Sequence, residues 1–564
     1  MTDESIGPRA IADSYLNQVA AHDPLEAAWL GLHPGDERQP DLSPEGFEAH
    51  AEIARRALAA LDAAPVTVDP AEQACARLLR ERLTAELAVQ DSGDNFRQLR
   101  AIGAHVHQVR DIFTFMPTAT DEDWAAVAGR LRNLPGALDG YRTTITEGIS
   151  RDLLAAPRQV AVVISQLTAW TGQTAGRQAG GGGAGWFADF VADGPESLRT
   201  ELDTAALRAT AAVAEFRDWM RDTYAPAAAR TPDAVGRERY LRAVRYCTGA
   251  DLDLDEAYEW AWSEFHGTLA EMRIEADRVL PGSTPLEAMH HLEQHGHAVK
   301  GEEGIRDWLQ RIMDEAIDAL DGHHFDFADP IRKVESLIAP AGSVGGPYYS
   351  GPSLDFSRPG RTYLPTLGRE SFPTWQLVST WYHEGVPGHH LQLAQWVAMA
   401  DRLSRYQATL GIVSANIEGW ALYAERLMDD LGYFADPGYR MGFLDEQMLR
   451  TIRVIIDIGM HLRLTIPADS GFHPGERWTP ALATEFMATY NGTPAEERIG
   501  QIDRYLGWPG QAIGYKLGER AWLAGREAAQ RRQGASFDLK TWHMKALSQG
   551  SLGLDDLVDN LAAL

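Results

Sequence analysis

Residues 383–390 read His-Glu-Gly-Val-Pro-Gly-His-His, a set of side chains that could bind a metal ion and activate water. In zinc peptidases a His-Glu pair is followed by a second His four residues after the first, so that both rings reach one ion from the same helix face. Here the second His is His389 or His390, which a straight helix would place roughly 9 to 10.5 Å from His383 along its axis. The Pro-Gly pair between them permits a bulge or kink that shortens this gap. The motif is therefore either a distorted zinc site or no metal site.

A catalytic zinc also needs a third protein ligand and a general base. Glu418 follows the His pair by 28 or 29 residues, which allows a second helix to return antiparallel to the first. Its apolar neighbours predict a buried carboxylate, which needs a cation or donors; the alternative is an ordinary surface glutamate. Glu384 follows the first His directly and is the predicted base, or else a residue favoured by the helix dipole.

Other candidate side chains lie further along the chain. Arg453 could hold a substrate carboxylate and His461 could donate to the oxyanion, but Arg453 and Asp457 could equally form a plain helix salt bridge. Tyr515 is a second oxyanion candidate or a core tyrosine. An edge strand at 362–366 could pair with a peptide backbone.

A rival histidine cluster occurs at residues 290–297, where His291 and His295 have the i, i+4 spacing that the main motif lacks. No Glu directly follows the first His, and the surrounding residues are polar, so a solvated helix end is the preferred interpretation. His323 and His324 are predicted to lie in a turn.

Composition limits the class of protein. The chain has 564 residues and a formal charge of −28, which disfavours nucleic acid and anionic membranes as partners. Its two cysteines, Cys75 and Cys247, indicate neither a disulfide framework nor a thiolate metal site. The first residues show no basic region followed by an apolar run, which predicts a cytoplasmic enzyme acting on a peptide or small molecule. The oligomeric state stays open.

The elements that must position these residues are mostly amphipathic helices. A short β region is expected at about 331–367, and the glycine-rich stretch 171–186 is expected to be a surface loop or a lid. A loose boundary near residue 330 separates an N-terminal helical lobe, 1–330, from a catalytic lobe, 331–564, with one groove between them in one continuous folding unit. The predicted helices include 71–90, 255–279, 373–400, 404–431, 438–464, 480–490 and 509–533.

The motifs at 383–389, 418–423 (EGWALY) and 509–515 (PGQAIGY) together resemble a bacterial family filed as a domain of unknown function, which is similar in fold to the Taq-type zinc carboxypeptidases. The resemblance covers roughly residues 330 to 530. It implies a mainly α, gluzincin-like fold with a small β-sheet near the metal helix and a central groove. It also implies that His389 is the second zinc ligand and that His390 does not bind the ion but supports the ligands or acts as a hydrogen-bond donor.

The sequence thus predicts a hydrolase with one zinc ion, most simply a metallopeptidase of carboxypeptidase type. Its predicted ligands are His383, His389 (or His390) and Glu418. Two alternatives remain: an inactive helical protein that binds peptides or small molecules, and a zinc hydrolase of a non-peptide amide or ester.

Overall fold

The computed structural model describes residues 7–173, 185–339 and 346–564. These residues are mainly helical and form two small sheets, which confirms the predicted fold class. The glycine-rich residues 174–184 lie outside the described part of the chain, so the prediction of a loop or lid there stays a prediction.

The helices of the described chain begin and end as follows: α1 Pro8–His22, α2 Pro24–Trp29, α3 Pro44–Ala63, α4 Pro70–Asp91, α5 His105–Asp111, α6 Asp121–Ser150, α7 Pro157–Trp170, α8 Trp186–Val191, α9 Arg199–Trp219, α10 Ala225–Ala228, α11 Arg237–Thr248, α12 Leu254–Val279, α13 Pro285–His295, α14 Glu302–Leu320, α15 Leu377–Glu384, α16 His389–Ala398, α17 Arg405–Ala408, α18 Ser414–Asp430, α19 Pro437–Leu462, α20 Pro480–Tyr490, α21 Ala495–Gly507, α22 Gly514–Gln533, α23 Leu539–Leu547 and α24 Leu554–Ala563. Short 3-10 or π turns lie at Asp94–Arg97, Ile112–Phe115, Glu196–Leu198, Met220–Tyr224, Asp329–Arg332 and Gly534–Ser536.

The chain forms two compact units. The first comprises residues up to Val66, Leu83–Val235 and Leu506–Trp508, and the second comprises Thr67–Arg82, Gly236–Tyr505 and Pro509–Leu564. This division differs from the boundary expected near residue 330. Helices α11 to α14 belong to the same unit as the motif because α12 packs along α19 through their apolar faces.

In the first unit, α6 and α9 pack against each other and form much of a core rich in large apolar side chains. Thr120 begins α6 with a capping box, in which its hydroxyl accepts from the backbone N–H of Asp123 and the Asp123 carboxylate accepts from the backbone N–H of Thr120. The Tyr141 hydroxyl, buried in this core, donates to the backbone oxygen of Gln98 at 2.7 Å. This unit contains none of the residues of the His-Glu motif.

In the second unit, α18, α19 and α22 pack together and carry the candidate site. A β-carbon on Gly419 of α18 would lie 2.3 Å from the carbonyl carbon of Gly518 in α22, so the two helices touch through glycine backbone. Asp436 caps the start of α19 through the N–H groups of Gly438 and Tyr439. The long helix α19 is buried along most of its length and supports the other two.

Five short strands lie in the described residues: β1 Ala298–Lys300, β2 Val334–Ile338, β3 Tyr348–Ser350, β4 Gly360–Leu364 and β5 Ser371–Pro373. β4 is the central strand of the larger sheet, parallel to β2 and antiparallel to β3. The prediction of an edge strand at 362–366 is therefore wrong, because the backbone of β4 is already hydrogen-bonded on both sides. β1 and β5 form a separate antiparallel pair.

Candidate metal centre

The His-Glu motif lies on two helices with a short break between them. α15 ends one residue after His383 and α16 begins at His389, whereas the sequence predicted one helix over 373–400. In the break, the Gly388 N–H donates to the carbonyl oxygen of Tyr382 at 3.0 Å. This hydrogen bond joins residues six apart in sequence, whereas the hydrogen bonds of an α-helix join residues four apart. The chain therefore turns back toward α15, and the ring centroids of His383 and His389 come within 4.7 Å.

Trp420 of α18 binds this break. Its fully buried indole Nε1 donates to the carbonyl oxygen of Pro387 at 2.9 Å and to that of Gly388 at 3.1 Å. Glycine is required at 388 because a β-carbon there would lie 2.0 Å from the carbonyl oxygen of His383. The start of α16, and with it the His389 ring, is thus held by a close backbone contact on one side and by the indole on the other.

Three side chains converge beside the break. His383 Nε2 lies 3.4 Å from Glu418 Oε2, and His389 Nε2 lies 3.5 Å from the same oxygen. Glu418 Oε2 is buried, yet no well-formed hydrogen bond reaches it from the described residues. Two ring nitrogens therefore face one buried carboxylate oxygen at ion-pair distance, without a well-formed hydrogen bond to it.

These distances fit a bound zinc ion. With bond lengths of about 2.0 to 2.2 Å, two ligand atoms on a tetrahedral zinc lie roughly 3.3 to 3.5 Å apart. The two distances from the imidazoles to Glu418, 3.4 and 3.5 Å, match the edges of such a tetrahedron. Ligand atoms of His383, His389 and Glu384 also lie within 4.8 Å of one another. Glu418, whose oxygen has no other partner, is the better carboxylate ligand.

A second carboxylate orients the first histidine. Glu425 Oε1 lies 2.7 Å from His383 Nδ1, and Ser379 donates its hydroxyl to Glu425 Oε2 at 2.7 Å. This contact places the ring proton on Nδ1 and leaves Nε2 able to bind a metal. Sequence reasoning missed Glu425, although it lies seven residues after Glu418 and therefore on the same face of the helix.

The electrostatics of the site favour positive charge. Burial lowers the pKa of His383, but the carboxylates of Glu418 and Glu425 outweigh it and raise that pKa to about 9. Burial opposes ionisation of Glu418, yet His383 and His389 hold its pKa well below the usual range. A carboxylate that stays ionised between two imidazoles provides the negative charge that a cation needs.

Glu384 lies at the end of α15 beside these groups. Burial raises its pKa, while the nearby histidines and Arg450 oppose the rise. A carboxylate with a raised pKa is better suited to accept and return a proton than an ordinary exposed one. Glu384 also remains partly accessible, which would allow contact with a substrate.

His390 faces away from this group. Its Nε2 lies 2.7 Å from the carbonyl oxygen of Ile331, and its Nδ1 lies 2.9 Å from the hydroxyl of Tyr349 in β3. Burial lowers the pKa of His390 to about 4, so the ring is neutral. His390 ties α16 to the sheet, and both of its nitrogens are engaged there.

Two arginines of α19, Arg450 and Arg453, lie close enough to Glu418 for its charge to act on them. Arg453 lies with its guanidinium carbon 4.8 Å from the centre of the Tyr515 ring. Burial lowers the pKa of Arg453, but Tyr505, Tyr515 and the charge of Glu418 outweigh it and raise that pKa, whereas burial and then the charge of Glu418 raise the pKa of Tyr515. The structure thus brings Arg453 and Tyr515 into the neighbourhood of Glu418, one of the candidate metal ligands. Sequence reasoning missed two further arginines. Arg450 could have been found from its i, i+3 spacing to Arg453, whereas nothing in the sequence singled out Arg504.

His461 makes its contacts elsewhere on α19. Its Nε2 lies 3.1 Å from the backbone oxygen of Tyr505, and burial lowers its pKa to about 4. Asp457 accepts from the Tyr240 hydroxyl at 2.6 Å and from the Gly510 N–H at 2.9 Å, and these contacts replace the predicted salt bridge to Arg453. In this structure His461 joins α19 to α21, in place of the predicted oxyanion role.

The rival histidines lie at the exposed end of α13, which stops at His295. The ring centroids of His291 and His295 are 4.9 Å apart. His323 and His324 lie in a turn after α14. Among the described residues, the group of three or more potential ligands that could hold a metal ion is the one in the His-Glu motif.

Residues 24–561 match the family described as "Bacterial protein of unknown function (DUF885)". The chain belongs to this family. The match confirms the resemblance drawn from the three motifs and extends it over almost the whole chain. The family description assigns no activity, and no curated protein matches the chain.

Solved structures show the same fold. A "putative lipoprotein" from Colwellia psychrerythraea shares 21% identity over 99% of both chains, with a TM-score of 0.80. A "putative lipoprotein of unknown function" from Shewanella oneidensis shares 18% identity over 98% of this chain and 99% of its own, with a TM-score of 0.74. A Pyrococcus furiosus carboxypeptidase matches at 13% identity over 100% of this chain and 96% of its own. Its TM-score of 0.41 is too low to support an argument about function.

The prediction of a cytoplasmic protein is wrong by this comparison, because the two proteins that share the fold are described as lipoproteins. Within the described residues, no helix has both the length and the apolar character needed to cross a bilayer.

Proposed function

We propose that this protein is a zinc-dependent hydrolase, and specifically a metallopeptidase of carboxypeptidase type. The observation that carries the proposal is the buried Glu418 Oε2, which accepts no well-formed hydrogen bond and lies 3.4 and 3.5 Å from two imidazole nitrogens. His383, His389 and Glu418 would hold one zinc ion. When bound there, the ion supplies a Lewis acid that polarises a substrate carbonyl and makes hydroxide available near neutral pH.

The surrounding side chains suit hydrolysis of an amide bond. Glu384 would take a proton from the attacking water and deliver it to the departing amine. Glu425 would keep the His383 ring in one tautomer throughout, because its carboxylate accepts from Nδ1. Tyr515, neutral because burial raises its pKa, would donate its hydroxyl to the oxyanion.

Arg453 supports the carboxypeptidase assignment. It is 6% exposed, and its neighbours are the hydroxyl of Tyr505 at 3.0 Å and the ring of Tyr515. A buried guanidinium that makes no direct ion pair with a carboxylate has free energy to gain from an anion. The terminal carboxylate of a peptide, bound there, would place the last peptide bond near Glu384.

The test is metal analysis combined with hydrolysis of a peptide library. We expect one zinc per chain, hydrolysis of C-terminal residues that a chelator abolishes, and restoration by zinc. Glu384→Gln should keep the metal but lower kcat by about 10²- to 10⁴-fold. Glu527→Gln, an exposed glutamate on α22, is the matched control and should act as wild type.

Two results would contradict the proposal. Failure to bind zinc, together with unchanged turnover in Glu384→Gln, would exclude the metal mechanism. Peptide binding without any turnover would instead favour an inactive binding protein. Chelator-sensitive cleavage of esters or non-peptide amides, with peptides untouched, would keep the metal centre and replace the substrate class.

A further inference from the structure

Three buried or half-buried arginines lie together beyond Tyr515, and their charges are unequally compensated. Arg450 forms an ion pair with Glu446 one turn earlier on α19. Arg453 and Arg504 form no ion pair with any carboxylate in the described residues. Two positive charges therefore lie near the candidate metal ligands without a direct ion pair, and the carboxylates that act on them, Glu418 on Arg453 and Asp457 on Arg504, do so only at longer range.

The contacts of these two arginines define two separate positions around one phenol ring. Arg453 lies over the face of Tyr515, 4.8 Å from its centre. Arg504 reaches the other end of the same side chain, with Nη2 3.4 Å from the Tyr515 hydroxyl and 2.8 Å from Gln511 Oε1. A single small carboxylate that binds over the ring face would leave the second guanidinium uncompensated.

Unsatisfied donors also point to a missing ligand. Arg504 Nε and Arg450 Nε are both buried without a hydrogen-bond acceptor in the described residues, and Arg450 is 8% exposed. Buried guanidinium groups are costly to leave unsatisfied, so such donors indicate an acceptor that the protein itself does not supply. The Tyr515 phenol is not that anion, since its raised pKa keeps it neutral.

We propose that Arg453 and Arg504 bind the two carboxylates of one C-terminal residue, so that the enzyme selects peptides ending in glutamate or aspartate. Arg453 would take the terminal carboxylate and Arg504 the side-chain carboxylate. This inference rests on the proposed hydrolase function and makes Arg504 the residue that determines specificity.

The kinetic test compares tripeptides that end in Glu or Gln, which have nearly the same shape but different charge. We expect wild type to favour Glu over Gln in kcat/KM by about 10- to 100-fold, because a charge-assisted hydrogen bond replaces a neutral one. Arg504→Met should bring this ratio close to 1, whatever the absolute rates. Arg453→Met should slow both peptides alike and keep the ratio. The exposed Arg531→Met is the control.

A binding test separates this inference from the hydrolase function. Calorimetry should show that glutarate binds wild type at least about tenfold more tightly than valerate, which has one carboxylate on the same number of carbons. Arg504→Met should lose the difference, and Arg504→Lys, a milder change, should retain part of it. Thermal melting checks that each variant is folded.

The outcomes are distinguishable. Peptide hydrolysis with equal rates for Glu and Gln overturns the specificity proposal but leaves the hydrolase intact. Arg504-dependent glutarate binding without turnover of any peptide overturns the hydrolase but leaves the two-anion site. Inorganic phosphate that binds as tightly as glutarate through both arginines would assign them to one dianionic group and overturn the proposal.

Discussion

Replacing Trp420 with phenylalanine should weaken zinc binding without touching any ligand. The indole Nε1 donates to the carbonyl oxygens of Pro387 and Gly388, just before His389. Gly388 also accepts from the Gln392 N–H at 3.2 Å, whereas the indole is the donor that the described chain provides for Pro387. The substitution therefore leaves the Pro387 oxygen buried and without a donor.

The magnitude follows from this one lost contact. An unsatisfied buried acceptor costs about 1 to 3 kcal/mol, and the smaller ring adds a packing loss of about 1 kcal/mol. The break between α15 and α16 sets the position of His389. Most of the free energy lost with the hydrogen bond should therefore appear as weaker zinc binding. Each 1.4 kcal/mol is roughly a factor of ten, so zinc affinity should fall by about 10- to 100-fold.

Trp542→Phe is the matched control. Trp542 is equally buried, and its Nε1 donates to the carbonyl oxygen of Leu561 at 3.1 Å, on α24. Both variants lose the same atoms, so urea unfolding of the zinc-free proteins should show similar decreases in the free energy of unfolding. Competition with a chromogenic chelator then measures zinc affinity. Zinc binding by Trp420→Phe as tight as by Trp542→Phe would refute the idea that Trp420 positions His389.

Three further predictions concern other parts of the site. Glu425→Gln keeps the shape but removes the carboxylate at 2.7 Å from His383 Nδ1, and should lower zinc affinity by about 10- to 100-fold; an unchanged affinity in the same chelator assay would contradict this. Gly388→Ala should destabilise the protein and its zinc site because the new β-carbon would lie 2.0 Å from a backbone oxygen, whereas Gly500→Ala, with open space around it, should be neutral or slightly stabilising in thermal melts. His461 has a pKa of about 4 in the fold against its ordinary value near 6.5, so its contribution to stability is full above 6.5 and is lost as the pH falls through 4. His461→Gln should therefore flatten the pH dependence of the unfolding free energy in that window and retain turnover, and loss of kcat with unchanged stability would restore its predicted oxyanion role.

The sequence determined which residue types are available for chemistry and roughly where they lie. His383, Glu384 and Glu418 stand out because a His-Glu pair and a later helical glutamate are sufficient to suggest a metal site. Helical patterns, which are local, likewise predicted α4, α12, α19, α20 and α22 and the mainly α fold class.

Only the tertiary structure decided which way the side chains face. Whether His389 or His390 turns toward Glu418 depends on the path of the chain through the break, and that path is held by Trp420, some thirty residues away in sequence. His461 shares its helix with Arg453 but lies two turns further along, where Tyr505 engages it.

The dependence on packing between distant elements also explains why the sequence did not reveal Arg504 and why it misplaced β4 at the edge of a sheet. Arg504 has no motif of its own and becomes noticeable only where α21 and α22 bring it to Tyr515. The sequence of β4 is compatible with an edge strand, and only the structure shows that β2 and β3 pair with it on both sides. Spacing in sequence shows which side chains share one face of a helix or strand. Whether side chains from different elements meet depends on the packing of elements that are distant in the chain.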